Sequence, residues 1–127
     1  MFNFCKLNDI VNSPTDSFTI DILVNELVTD RSQLIHTIIN SLDIPYSDEN
    51  WDAFEEDINE MFWFEKIRQV RIIHAIVPKL DHSDMIIYLS ILKRAEITWE
   101  TCFGRVFQVW FPEDSREFIS ILCNTIE

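Results

Sequence analysis

Val70-Arg71-Ile72-Ile73-His74-Ala75-Ile76-Val77 is a nearly unbroken apolar run, rich in β-branched residues and stopped by Pro78. Such a run reads as a strand covered on both faces, the kind found at the centre of a parallel sheet. Upstream, Phe18, Ile20 and Ile22 alternate with Thr19 and Asp21, which predicts a half-buried strand over about 17–24. Downstream, Val106-Phe107-Gln108-Val109-Trp110-Phe111 is a third run of strand formers, too short for a helix.

Helical periodicity fills the intervals. Asp30 with Gln33 makes a capping-box variant ahead of Leu34, Ile35, Ile38, Ile39 and Leu42, giving a helix over about 31–42 that Pro45 ends. Asn50 caps a second helix, roughly 50–62, with Trp51, Phe54, Ile58 and Met61 on its apolar face. Asp81 or Ser83 caps a third, carrying Met85, Ile86, Leu89, Ile91 and Leu92 to about residue 97, with Lys93 and Arg94 suited to a helix end. Phe118, Ile119, Leu122 and Ile126 give a terminal amphipathic helix within 113–126. Strands alternating with helices require crossover connections, so the expected fold is α/β with a small three-stranded parallel sheet packed by helices. Phe2 and Phe4 flanking Asn3 are a weak strand signal, so residues 1–16 are either an extra edge strand or a loose lead-in. The expectation is a single domain over 1–127, with its core in 18–112.

Composition narrows the function. The chain has 127 residues, a net charge of −12 and one glycine, Gly104, which leaves no glycine-rich phosphate loop. That charge repels nucleic acid and anionic membranes and favours a basic partner. Cys5, Cys102 and Cys123 are odd in number and lack CxxC spacing, so neither a disulfide framework nor a zinc site is expected. The absence of a basic segment followed by an apolar core, and of any long apolar run, predicts a cytoplasmic protein.

The acid is concentrated in one place. From 47 to 65 no Lys or Arg occurs, and Asp52, Glu56 and Glu60 stack at i, i+4 and i+8 on the helix face opposite Trp51, Phe54 and Ile58. Glu55 and Asn59 lie between the two faces. Like charges four apart cost about 0.2–0.5 kcal/mol each, so stability alone does not favour this arrangement. A solvated face of an acidic helix is the plain alternative to a binding surface.

With that order of elements on the page, Glu49-Asn50-Trp51-Asp52-Ala53-Phe54 resembles the start of the second helix in the barstar family of ribonuclease inhibitors. Val24–Arg31 resembles the family's turn into its first helix, and Glu56–Phe64 its acidic, Leu- and Trp-containing helix ending. Leu89–Ala95 and Phe107–Pro112 are similar to its third helix and last strand, so the likeness spans roughly 18–112. It implies a barstar-like fold and an inhibitor of the immunity or antitoxin type, which lays its second helix into the active site of a basic nuclease, with carboxylates in place of substrate phosphates. By position, Tyr46, Asn50, Asp52 and Glu56 match inhibitory positions, and Asn59 a neighbouring contact. Glu56 stands where the family has its principal Asp, Glu55 where it has a Trp, and Ser47-Asp48 where it has an aromatic residue and Gly.

Enzyme chemistry finds less support. His36, His74 and His82 form no close-spaced ligand pair with a carboxylate or thiol, and no nucleophile elbow, HExxH or EF-hand loop occurs. The expectation is therefore a non-enzymatic, cofactor-free inhibitor of a basic protein toxin, first of all a ribonuclease, with Tyr46, Asn50, Asp52, Glu55, Glu56, Asn59 and Glu60 as the partner-binding set. An acidic regulatory or nucleic-acid-mimicking module with a non-nuclease partner is the alternative.

Overall fold

The computed structural model describes residues 2–11, 18–44, 48–60 and 67–125. In chain order these form β1 (Asn3–Cys5), α1 (Leu7–Val11), β2 (Thr19–Val24), α2 (Arg31–Ser41), α3 (Trp51–Ile58), β3 (Gln69–His74), α4 (His82–Phe103), β4 (Val106–Pro112) and α5 (Arg116–Asn124). The class is α/β. The sheet holds four strands in the order β1-β4-β3-β2, all parallel. The three anticipated strands occupy its other edge and its interior, and the N-terminal segment supplies the fourth by pairing Asn3 with Trp110 and Phe4 with Phe111.

Alternation sorts the side chains. Ile22, Val24, Val70, Ile72, Val109 and Phe111 enter one cluster with Leu34, Ile38, Phe54, Leu89, Leu92, Trp99 and Ile119 from the helices α2–α5. On β3 the intervening Arg71 and Ile73 are buried as well, which is why this strand reads as continuously apolar. Helix α1 packs against β3 and buries Ile10, and Ile10 and Ile73 both lie outside the main cluster. The short α1 therefore covers part of the second face as the chain crosses from the β1 edge to the β2 edge. Arg71 is kept there by a bidentate pair with Asp21, its register partner on β2, at 2.6 and 2.7 Å.

Three boundaries differ from expectation. Helix α4 runs past 97 to Phe103, where Gly104 closes it in the left-handed region at φ 62°. Ala95 and Trp99 continue its buried stripe, so Lys93 and Arg94 lie in mid-helix, not at its dipole end. Pro112 belongs to β4, and a 3₁₀ turn over Glu113–Ser115 precedes α5. The expected second helix is described over Trp51–Ile58, and Met61 with the rest of 61–66 lies outside the described residues.

Candidate functional site

Helix α3 is held by its apolar face and at both ends. Asn50 accepts a hydrogen bond from the Ala53 N–H through Oδ1 at 2.8 Å, the N-cap its type and position predict. Phe54 and Ile58 are fully buried, and Trp51 lies 5.9 Å from both the Phe54 and Tyr88 rings. At the entry, Trp51 Nε1 donates to Asp84 Oδ1 on α4 at 2.9 Å, and Asp84 also lies 3.8 Å from Arg31 on α2. At the exit, Trp99 Nε1 donates to the Ile58 carbonyl at 3.0 Å, satisfying one of the acceptors that a helix end leaves open. A helix of eight residues has little stability of its own. These contacts make it a fixed platform.

The outer face carries the acid. Asp52, Glu55, Glu56, Asn59 and Glu60 line one shallow, open depression of about 550 Å³. Asp52, Glu56 and Glu60 are exposed and form no ion pair among the described residues. Asp52 and Glu56 lie one turn apart on α3, whereas Glu60 follows the Asn59 C-cap, so the expected helical stacking does not extend to it. Unneutralised carboxylates on and beside a rigid element can take charge-assisted hydrogen bonds from Arg and Lys of a partner.

The other expected members behave differently. Glu55 is clasped by Arg94 of α4 in a two-pronged pair, Nε to Oε2 at 2.7 Å and Nη2 to Oε1 at 3.0 Å. These bonds hold the guanidinium even more firmly protonated than usual. Glu55 thus braces α3 against α4 instead of standing free for a partner. Asn59 is the C-cap residue and donates through Nδ2 to the Glu55 carbonyl at 2.9 Å, leaving its Oδ1 buried without a hydrogen-bond partner among the described residues. The Asn50 side chain is committed to the cap, and Tyr46 lies outside the described residues.

The chain matches no family model, no curated protein and no solved structure. The site is thus read from its own geometry.

The buried histidine of β3 has a structural place. His74 Nδ1 lies 2.9 Å from the Trp110 carbonyl and Nε2 lies 2.7 Å from the Tyr88 hydroxyl, while the ring stacks on Phe111 at 4.1 Å. Nδ1–H donates to the carbonyl and Nε2 accepts from the hydroxyl, which fixes a neutral tautomer. Burial lowers its pKa to about 4, and burial raises that of Tyr88. Among the described residues no cluster of three or more His, Cys, Asp or Glu is placed to hold a metal ion. No helix among them is long and apolar enough to cross a membrane.

Sequence reasoning missed the residues that hold the platform. Arg94 looks in sequence like a helix-end charge, and its partner lies 39 positions away. Trp51 lies on the expected apolar face and Trp99 falls beyond the expected helix end near 97, and the destinations of their N–H groups, Asp84 and the Ile58 carbonyl, depend on how α3 crosses α4.

Proposed function

We propose that this protein is a stoichiometric inhibitor of the immunity or antitoxin type, which occludes the active site of a basic nuclease toxin, a ribonuclease in the first instance. The observation that carries the reading is the acidic face of Asp52 and Glu56 on a helix anchored at both ends, with Glu60 just past its C-cap, all three exposed and without an ion pair among the described residues. In a cleft built to bind phosphates, these three carboxylates would meet Arg and Lys side chains already positioned for anions. The net charge of −12 adds long-range attraction, so association with a basic partner is fast at low salt and slows as salt rises. The resemblance of Asn50–Phe54 and its surroundings to the barstar family points to the same helix and to a barstar-like fold, and the role of Glu55 is assigned to Arg94 and not to the partner.

The test is co-expression with the basic protein encoded by an adjacent reading frame. Rescue of growth, recovery of a one-to-one complex and loss of both with Asp52→Ala combined with Glu56→Ala support inhibition. Recovery of a complex with a partner that has no nuclease activity would favour the alternative, an acidic binding module that mimics nucleic acid.

A further inference from the structure

On the far edge of the sheet from β2, helix α5 leaves a cleft of about 450 Å³ against β1 and α4. Its apolar wall is formed by Phe2, just ahead of β1, and Phe4 of β1, which pack edge-on and tilted against Phe111, and by Ile119 of α5. Two cations reach it from different helices. Lys93 comes from the middle of α4, and Arg116 opens α5 with its guanidinium 4.7 Å from the centre of the Phe4 ring. In a chain with 22 acidic and 10 basic residues, a cation has abundant choice of carboxylates. Neither Lys93 nor Arg116 forms an ion pair among the described residues, and none of the described residues that line the cleft is a carboxylate, although Glu96, one turn along α4, lies near enough to Lys93 and Cys123 to act on both through its charge.

We propose that this cleft is a binding site for a small amphipathic carboxylate, its alkyl or aryl body against Phe2, Phe4 and Ile119 and its anionic head between Lys93 and Arg116. A volume of this size suits a ligand of drug-like dimensions or smaller, and apolar lining with a few convergent polar groups is the usual composition of such sites. The protein's negative field opposes the ligand at long range, but at physiological salt that field is screened beyond about 8 Å, so the two local charges dominate at contact. The Cys123 thiol also lines the cleft, and burial raises its pKa, so it offers a polarisable apolar surface and not a thiolate. This site is remote in sequence from the acidic face of α3 and does not depend on the function proposed for it.

The probes are octanoate, octanol and octylammonium, titrated calorimetrically into the full chain. Octanoate should bind with a dissociation constant below about 1 mM, and the neutral and cationic analogues at least tenfold more weakly. Lys93→Gln and Arg116→Gln should each weaken octanoate about fivefold or more with an unchanged circular dichroism spectrum. Ser120→Trp, from an exposed lining position, should block it. Equal affinity for octanol or octylammonium, or no octanoate binding up to about 10 mM, overturns the proposal, and neither comparison requires a variant to fold.

Discussion

The Trp99 indole N–H donates to the Ile58 carbonyl, joining the C-terminal part of α4 to the last residue of α3 across 41 positions. Both residues are fully buried, so the bond forms out of reach of water. Trp99→Phe keeps most of the ring volume, 5.1 Å from Phe107, and removes only the donor. The expected cost is about 1–3 kcal/mol, the penalty of a buried acceptor left open, read from urea denaturation. Hydrogen exchange should quicken over 51–58 more than in β3.

Two neighbouring glutamates should respond oppositely. Glu55→Gln loses the charged fork to Arg94, and because that side chain is 56% exposed the loss of stability should stay at or below about 1 kcal/mol. Glu56→Gln removes like-charge repulsion from Asp52 and Glu60 and should leave stability equal or a few tenths of a kcal/mol higher. Against a basic partner the ranking reverses, with Glu56→Ala or Asp52→Ala weakening binding by about 2–5 kcal/mol where either faces a buried cation. Equal loss of affinity from Glu55→Ala would show that Arg94 yields its partner on binding.

Acid should destabilise the fold through His74. Its pKa is about 4 when folded and near 6.5 when unfolded, so below 6.5 the unfolded chain binds more protons than the folded one. Stability from this group is intact above pH 6.5 and falls as pH drops toward 4, by a total of about 3 kcal/mol. Urea midpoints measured between pH 7 and 4 should show this slope, and His74→Gln, which keeps a donor and an acceptor, should flatten it.

The Asp21–Arg71 pair locks the edge strand to its neighbour. Arg71 is 6% exposed and Asp21 is 37% exposed in their side chains, so the carboxylate is partly hydrated while the guanidinium is not. Asp21→Asn should cost about 1–3 kcal/mol, less than the loss of a fully buried pair because water can approach the changed side. The measurement is the denaturation midpoint, with the Arg71 Nε resonance as a local reporter.

Periodicity made the interior of the fold readable. Continuous burial on β3, alternation on β2 and the stripes of α2 and α3 each carry a signal longer than one turn or two residue pairs. The edge was harder, because β1 has only three residues and its pairing to β4 is wholly non-local. Lys93 and Arg94 look like a dipole-complementing terminus and draw the expected end of α4 too early, although the buried Ala95 and Trp99 extend the stripe. For the acidic face, spacing alone brought Asp52, Glu56 and Glu60 together. It could not reveal that Glu55 is claimed by Arg94, since that depends on the crossing of two helices.

The parallel register of β1 on β4 sets an order of events during synthesis. Asn3 leaves the ribosome more than a hundred positions before Trp110, which lies opposite it in the sheet. Until then Phe2 and Phe4 have no strand or helix to cover them, and closing so large a loop is slow. The nascent chain therefore carries an uncovered aromatic edge until β4 has been made, which makes this segment the natural contact for a chaperone and the first place to look when the protein aggregates on overexpression.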